Sequence, residues 1–545
     1  MTATQRRWLP LLLVALLGVL ATITSLGHDF TYDDRGIILQ NARVHSLRHI
    51  PALFRETYWP LKFGADGYRP LVTTLFTVEW AASGGAPWLF HLVNLLLTVA
   101  TCLAVYWCSV AVLPASAAVM ASALFAVHPV HVEVTGNVVG QSELLVALCV
   151  ALAVGIYLRG RQPGSLSAKH GVVILLLFSV ALFSKEHAVV LPALLVAAEL
   201  TVVSDSTWGA RLKQTRPLFL ALMAVALAFF YVRGLVVDNL AGFVPFPLFR
   251  ALNMRALDRV GTMMNEIPRI AQLLLFPTHL SADYSPGDVL VANGLQVSQL
   301  PGFFICAAVV LLAVVLRRRA PVASFGLMWV MIAFLPVSNL LVPAGFVTAE
   351  RTLFLPSMGL VFVAGAVVVW LREEGSTSMR RIGAGVFVLL LSLGLLRTLD
   401  RQRVWRNNDT FFAALMHDAP LGYRAHYIHA HHVGLQGNLR EMEREYRRAI
   451  RIFPYDASMT LSIADAYARA GLYAPAADLF EWTYGVEPTI GDLRYEYVYS
   501  LSRLGRWRQV REQALLALAL APTGEIRLLR SAIASADTAL RRRAK

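Results

Sequence analysis

Apolar residues gather in long runs that recur along the first 400 positions of the chain and then stop. Eleven runs lie at about 8–27, 89–112, 115–130, 142–158, 171–184, 188–204, 217–236, 301–316, 321–338, 352–371 and 382–399. Because an upright membrane-spanning helix needs roughly 20 mostly apolar residues, the pattern predicts a polytopic helical membrane bundle of about 11 spans. Several runs are short, and 115–130 is the weakest. A further stretch, Ile270 to Phe276, is expected to lie on the membrane surface or to re-enter.

Basic residues between the runs predict the orientation of the bundle. Lys and Arg accumulate in cytoplasmic loops. With the N-terminus inside, the cytoplasmic side holds fourteen basic residues, whereas the short loops 128–141, 184–187 and 339–351 hold only Lys185 and Arg351. These loops therefore form the outer, non-cytoplasmic face, and everything after residue 400 falls on the same side.

After residue 400 the apolar runs give way to apolar and polar residues at helical spacing. Four prolines and three glycines are each 34 residues apart: Pro420, Pro454, Pro488 and Pro522, and Gly437, Gly471 and Gly505. A 34-residue helix-turn-helix period is typical of the tetratricopeptide (TPR) repeat. We therefore predict two domains, a membrane domain over 1–400 and a TPR α-solenoid over 401–545, with about three repeats at 423–522 and a capping helix at 524–545. The alternative is an unrelated helical bundle.

Composition supports a membrane protein rather than a soluble enzyme. Hydrophobic residues make up 57% of the chain, charged residues 15%, and the mean hydropathy is +0.56, values typical of membrane proteins. The net charge of +14 would suit nucleic acid, but much of the excess lies in short loops where cytoplasmic bias explains it, so no nucleic-acid partner is predicted. The four cysteines lie in apolar runs and are expected to be buried thiols. The first run is long enough to remain as an anchor, with cleavage after Ala21 or Ser25 as the alternative.

Two adjacent acids follow the first apolar run. Asp33 and Asp34 lie in the stretch HDFTYDDRG at 28–36, which the topology places on the outer face. Neighbouring side chains of an extended segment point to opposite sides, so one acid is expected to act while the other positions it. The alternative is that both are solvated loop or helix-cap residues.

Further polar groups lie at the outer ends of the runs, where ionisable residues are costly and usually functional. They are His128, His131, Glu133, Glu143, Lys185, Glu186, Arg69, Glu350 and Arg351. A guanidinium group binds phosphate bidentately, which favours Arg351 as a phosphate ligand. The HxxHxE spacing at 128–133 lacks the HExxH pattern, so a zinc or manganese site there is only an alternative. Lys185 with Glu186, and Arg351 with Glu350, are equally consistent with local structural ion pairs.

Acids and arginines at a membrane surface suit transfer of a group from a lipid-linked phosphate to a hydroxyl acceptor. The phosphate would meet Arg or Lys, and an Asp would orient and deprotonate the acceptor. Because an ordinary Asp titrates near pH ~3.9, proton transfer must accompany bond formation. Two other classes compete: a non-catalytic scaffold that presents TPRs to envelope proteins, and a transporter, which would favour polar residues at mid-membrane depth.

The order of the motifs resembles that of the transmembrane-and-TPR O-mannosyltransferase (TMTC) family of the GT-C superfamily, over nearly the whole chain. Single motifs are weak, but their shared order with TPRs behind them is specific. They are YDD at 32–34, YRPL at 68–71, FHLVN at 90–94, HPVHVE at 128–133 with GQSELL at 140–145, SKE at 184–186, and ER at 350–351 through LPSMG at 355–359.

The resemblance implies an all-α GT-C-like glycosyltransferase that moves a sugar, typically mannose, from a polyprenyl phosphate to protein Ser or Thr with inversion. It implies Asp33 as the catalytic acid with Asp34 as its partner. Chemistry then suggests Arg351, Arg69 and Lys185 for the donor phosphate, with Arg351 first, and leaves His128, His131, Glu143, Glu186 and Glu350 as further site candidates. No metal site is predicted, and metal dependence stays open. The TPR groove would bind a protein acceptor, in a bacterial inner membrane with periplasmic TPRs or, in a eukaryote, in the ER membrane with lumenal TPRs.

Overall fold

The computed structural model describes residues 3–60, 66–161, 166–203, 207–237, 254–488, 493–520 and 525–543. Helices joined by loops make up these ranges, so the predicted all-α class is confirmed. The described residues divide into two compact units. The larger unit contains the described residues up to Asp418, apart from Met254 and Ser285–Asp288. The smaller unit contains Met254, Ser285–Asp288 and the described residues from Ala419 onward. The predicted domain boundary at residue 400 stays a prediction.

The larger unit is a bundle of long apolar helices with short helices between them. In chain order they are α1 (Ala3–Thr22), α2 (Ile50–Leu53), α3 (Pro70–Ser83), α4 (Pro87–Ser109), α5 (Ala115–Ala126), α6 (Val132–Gly136), α7 (Gln141–Arg161), α8 (Ala168–Ser184), α9 (Leu191–Thr201), α10 (Trp208–Val237), α11 (Ala256–Leu275), α12 (Leu300–Arg319), α13 (Pro321–Phe334), α14 (Phe354–Glu373), α15 (Thr377–Gln402) and α16 (Asn408–Asp418).

The number of spans predicted from the sequence is not confirmed. Within the described ranges, seven helices are long and apolar enough to cross a membrane, or eight if α5 and Pro129–Gly136, which meet at a 52° bend, form one span. The remaining runs form shorter helices, among them α8 and α13. The run 188–204 forms the 11-residue α9 after a 3₁₀ turn, and its last residue lies outside the described ranges. The protein is thus a multi-pass membrane protein with fewer full-length apolar helices than runs.

The packing of the bundle shows which helices face inward. In the span Val138–Arg161, which contains α7, 78% of the apolar stretch is buried. In Thr377–Arg406, which contains α15, the buried share of the apolar stretch is 6%. Helices α13 and α14 approach so closely that a Cβ on Gly326 or Gly359 would come within 2.4 Å of the other glycine's carbonyl oxygen. Glycine at both positions is therefore what allows the two backbones to touch.

Two other sequence expectations concern the bundle. Cys102, Cys108 and Cys149 are buried free thiols, as predicted, while the free thiol of Cys306 is half-buried. The stretch expected to lie on the membrane surface or re-enter forms the end of the 20-residue amphipathic α11 and its Phe276 cap. Residues 238–253, between α10 and α11, lie outside the described ranges.

The smaller unit consists of consecutive helices with a repeating turn. They are α17 (Tyr423–Leu435), α18 (Leu439–Ile452), α19 (Ala457–Arg469), α20 (Tyr473–Val486), α21 (Arg494–Arg503), α22 (Trp507–Leu520) and α23 (Ile526–Arg543). Gly437, Gly471 and Gly505 adopt φ of +85°, +77° and +66° between successive helices, a conformation that glycine adopts without strain. The turn geometry explains the glycine period. The TPR assignment stays a prediction, and Pro522 lies outside the described residues.

Candidate functional site

Asp34 is buried at the centre of the loop that follows α1. Its Oδ2 accepts hydrogen bonds from the backbone N–H groups of Thr31 (3.2 Å) and Val138 (3.2 Å), and its Oδ1 accepts one from Val139 (2.9 Å). Burial raises the pKa of Asp34 to about 7, while these backbone N–H groups act in the opposite direction. Because both oxygens are engaged, Asp34 ties the loop to the 3₁₀ turn Val138–Gly140 and acts as a positioning residue.

The backbone next to Asp33 is held in an uncommon conformation. Tyr32 has a φ of +53°, a region that costs a non-glycine residue about 1–3 kcal/mol. Its N–H donates to Asn408 Oδ1 (2.9 Å), and its ring stacks on Phe411 with centroids 4.9 Å apart. These contacts from α16 hold the chain so that Asp34 is buried while Asp33 stays half-buried.

Asp33 belongs to a group of charges in the larger unit that interact electrostatically. Asp33 and Glu143 both interact with Arg351, and Arg69 and Arg351 both interact with Lys185. We call this group and its bonded partners the polar network. It consists of Asp33, Arg69, Glu133, Glu143, Lys185, Glu186, His187, Arg233 and Arg351.

Arg351 is held against Glu133 by two bonds. Its guanidinium Nη1 donates to Glu133 Oε1, and its backbone N–H donates to Oε2 at 2.8 Å. The side chain of Arg351 is 29% exposed, against 15% for Arg69 and 8% for Lys185. Arg351 is therefore the cation of the network most accessible to an incoming anion.

Lys185 is bonded to Glu143, which lies at the start of α7. The Lys185 ammonium donates to Glu143 Oε1, and His187 Nε2 lies 3.2 Å from Oε2. Burial lowers the pKa of Lys185, although the attraction of Glu143 opposes this. Both Glu143 oxygens thus have partners from the segment that follows α8.

Arg69 faces Glu186. Arg69 Nε lies 3.6 Å from Glu186 Oε2, and its guanidinium lies over the Tyr58 ring, 4.6 Å from the centroid. Arg233 of α10, buried in the bundle, interacts electrostatically with Glu186 and with Asp66. This end of the network therefore contains two arginines around one buried carboxylate.

Charged candidate residues that are adjacent in the sequence do not form ion pairs with one another. Glu350 accepts hydrogen bonds from the Tyr284 hydroxyl (2.8 Å) and the Ser281 N–H, whereas Arg351 binds Glu133. The local pairs considered from the sequence, Lys185 with Glu186 and Arg351 with Glu350, are therefore wrong. The backbone is extended at Lys185, so the side chains of Lys185 and Glu186 diverge. Glu350 and Arg351 are successive residues of a 3₁₀ turn, in which neighbouring side chains also point in different directions.

The two histidines of the HPVHVE stretch make separate structural contacts. His128 Nε2 bonds the Leu274 carbonyl oxygen (3.0 Å), and His131 Nε2 bonds Ser357 Oγ (2.8 Å). With Glu133 on Arg351, these three side chains do not converge on one point. In the described part of the chain, no group of three or more His, Cys, Asp or Glu side chains is placed to hold a metal ion.

The structure thus separates the candidates chosen from the sequence. Asp33, Arg69, Glu143, Lys185, Glu186 and Arg351 come together in the polar network, whereas Asp34, His128, His131 and Glu350 hold the surrounding backbone. Sequence reasoning missed Arg233 and Tyr58. Arg233 was detectable as the lone charged residue of the apolar run 217–236, whereas Tyr58 gave no such signal.

Sequence comparison finds relatives over most of the chain. Protein O-mannosyl-transferase TMTC4 of Mus musculus is 27% identical over 499 residues, 80% of this chain and 65% of the relative. Protein O-mannosyl-transferase Tmtc3 of Drosophila melanogaster is 25% identical, covering 87% of this chain and 58% of the relative. The TMTC3 protein of Homo sapiens is 26% identical, covering 79% and 49%. The resemblance to this family is confirmed. The chain spans 49% to 65% of the length of these three relatives.

No protein-family model matches the chain. Among solved structures, the archaeal oligosaccharyltransferase AglB from Archaeoglobus fulgidus, in complex with an inhibitory peptide and a dolichol-phosphate, aligns over 83% of this chain and 61% of its own, at 13% identity and a TM-score of 0.42. An Archaeoglobus fulgidus oligosaccharyltransferase tethered to an acceptor peptide aligns over 82% and 59%, at 14% identity and a TM-score of 0.37. These TM-scores are too low to establish a shared fold, so the GT-C-like topology stays a prediction.

Proposed function

We propose that the protein is a membrane glycosyltransferase that moves a sugar, mannose first among the candidates, from a polyprenyl phosphate to a Ser or Thr hydroxyl of a protein. The observation that carries the proposal is the electrostatic interaction between Asp33, a half-buried acid, and Arg351, the most exposed cation of the network. The names of the curated relatives, all protein O-mannosyl-transferases, support the same reaction.

Arg351 is the proposed ligand of the donor phosphate. A guanidinium group has five N–H donors, and the Nη1 bond to Glu133 leaves others to bind phosphate oxygens. Lys185 interacts electrostatically with both Arg351 and Arg69, so Lys185 and Arg69 are further positive charges of the same network. Charge developing on the departing phosphate is stabilised by donors that are already in place, which is the usual source of the largest catalytic contribution.

Asp33 is the proposed base for the acceptor hydroxyl. As the hydroxyl oxygen bonds to the anomeric carbon, the bond from that carbon to the phosphate oxygen breaks. The hydroxyl proton passes to Asp33, and the phosphate leaves with the electron pair. Such a single displacement inverts the anomeric carbon. General-base assistance supplies about 10²–10⁴-fold, so positioning and the cations must supply the rest.

The reaction is proposed to take place at the outer surface of the membrane. The network lies on the predicted outer face, where the lipid donor enters from the bilayer, and the helical repeats of the smaller unit bind the acceptor protein. We propose a bacterial inner membrane with periplasmic TPRs, or the ER membrane with lumenal TPRs in a eukaryote. Dependence on a divalent metal stays open.

The test uses purified full-length protein with a panel of polyprenyl-phosphate sugars and Ser/Thr peptides, with products weighed by mass spectrometry. Asp33→Asn should abolish transfer while leaving the folded yield unchanged. Asp400→Asn, at a 60%-exposed aspartate of α15, is the matched control and should transfer at the normal rate. Retained transfer by Asp33→Asn would remove Asp33 from the mechanism, and no transfer from any donor by the unaltered protein would reject the proposed function.

A further inference from the structure

Glu186 is a buried acid whose carboxylate is not hydrogen-bonded by its surroundings. It is 6% exposed and begins the 3₁₀ turn Glu186–Val190. Within the described ranges, neither of its carboxylate oxygens accepts a hydrogen bond from another residue, and it is the one glutamate there whose two oxygens are both buried and both lack such a bond. Arg69 Nε, at 3.6 Å, is an ion-pair partner beyond hydrogen-bonding distance.

Glu199 of α9 is a buried glutamate whose carboxylate does accept hydrogen bonds, and it serves as a comparison for Glu186. Glu199 is equally buried, at 6% exposed. Its Oε1 accepts hydrogen bonds from the Tyr157 hydroxyl (2.7 Å) and Arg161 Nε (2.6 Å). Burying an acceptor without a hydrogen-bond donor is unfavourable, and more so for a charged group. The arrangement at Glu186 therefore leaves acceptor capacity that a ligand can fill.

The charges around Glu186 keep it an acceptor. Although burial alone would raise its pKa, Arg69 and Arg233 hold the pKa of Glu186 below its usual value. An ionised carboxylate has two oxygens that accept hydrogen bonds and no proton to donate. The matching ligand must therefore present O–H or N–H donors.

The two arginines also select the charge of that ligand. A cationic amine would be repelled by Arg69 and Arg233, and a phosphate would be repelled by Glu186 itself. A neutral polyol satisfies both conditions.

We propose that Glu186 binds two neighbouring hydroxyl groups of the donor's hexose and so determines which sugar is accepted. This inference rests on the proposed function. Glu186 and the proposed phosphate ligands are linked within one network, since Arg69, the partner of Glu186, interacts electrostatically with both Glu143 and Lys185. A sugar joined to a phosphate at Arg351 and Lys185 thus has Glu186 as its recognition partner.

The test compares binding of a short polyprenyl phosphate with and without mannose to purified full-length protein, by competition for a fluorescent analogue of the lipid. The unaltered protein should prefer the sugar-bearing lipid. In Glu186→Gln this preference should fall by at least about tenfold, because a hydrogen bond to a charged group is lost, while affinity for the sugar-free lipid stays the same. The matched control, Glu199→Gln, should keep the preference.

Donor analogues that lack one ring hydroxyl at a time provide a second measurement. In the unaltered protein, removal of either hydroxyl bound by Glu186 should reproduce the loss seen in the variant, and in Glu186→Gln the same removal should cause no further loss. This comparison still decides the matter if the variant folds poorly, because the analogues are tested on the unaltered protein. If no single hydroxyl matters there, the inference fails.

The outcomes separate this inference from the proposed function. Equal weakening of both lipids in Glu186→Gln would make Glu186 a structural residue and overturn the inference alone. Retention of the sugar preference would do the same. If the unaltered protein shows no preference for a sugar-bearing lipid, the proposed function fails and the role of Glu186 fails with it.

Discussion

Replacing Asp34 with Asn should destabilise the loop that carries Asp33 without removing a group that reacts. The variant has the same shape but one carboxylate oxygen becomes an NH₂ group, which donates and cannot accept. In the native protein Oδ2 accepts two backbone N–H groups, from Thr31 and Val138, and Oδ1 accepts one, from Val139. The less costly orientation therefore keeps the oxygen at the Oδ2 position.

The expected magnitude follows from that geometry. With the oxygen at the Oδ2 position, the Val139 N–H loses its charged acceptor and faces another donor, keeping only its hydrogen bond to Asn137 Oδ1 at 3.2 Å. A hydrogen bond to a charged group contributes about 1.5–3 kcal/mol, part of which the Asn137 bond retains, and the opposite orientation would lose the bonds of both Thr31 and Val138. We therefore expect Asp34→Asn to lower the unfolding free energy of the larger unit by about 1–3 kcal/mol.

The assay separates positioning from chemistry. Thermal unfolding of the purified variant should show a lower midpoint. Transfer at a temperature where it stays folded should show a reduced kcat that is still measurable, because Asp33 remains present but less well placed. A variant that is as stable as the unaltered protein and as inactive as Asp33→Asn would refute the positioning role and make Asp34 a reacting group.

Two further predictions concern charge. Arg351→Gln should lower the unfolding free energy by about 3–5 kcal/mol, because it leaves Glu133 buried without its cation. The double variant Arg351→Gln with Glu133→Gln should regain much of that stability but should not regain sugar transfer. Recovery of transfer in the double variant would exclude Arg351 as the phosphate ligand. Burial, helped by Arg406, lowers the pKa of His28 from 6.5 to about 4. The unfolded chain therefore gains a proton below pH 6.5 that the folded protein takes up only near pH 4, so stability should fall by about 3 kcal/mol across that window as pH drops. His28→Gln should reduce this acid sensitivity in pH-dependent unfolding, and an unchanged profile would contradict the assignment.

The helical class was predictable because it depends on local pattern. The long apolar runs of this chain form helices, and the 34-residue spacing of the turn glycines at 437, 471 and 505 is visible in the sequence itself. The number of full-length spans was not predictable in this way. Apolar composition extends into 3₁₀ turns and bends, as at Pro129–His131 between α5 and α6, and hydropathy does not register the break.

Which charged residues pair with one another could not be predicted from the sequence. Lys185 and Glu143 are 42 positions apart, and Arg351 and Glu133 are 218 apart. No local rule connects such residues, so adjacent charges looked like natural partners. Only the packing of α7 against α8, and of α14 against α5, brings the true partners together.

These long-range pairs also bear on how the proposed phosphate site would form where cations are scarce. The short loops of the predicted outer face hold only Lys185 and Arg351 as basic residues, and each is held by a buried glutamate from another element. Removing one partner of such a pair leaves a buried charge uncompensated, at a cost of about 3–5 kcal/mol. The glutamates therefore fix both cations in place before any phosphate binds. Because the side chain of Arg351 stays 29% exposed and that of Lys185 only 8%, the proposed donor phosphate would reach the guanidinium first, while Lys185 would add a second, more deeply buried positive charge.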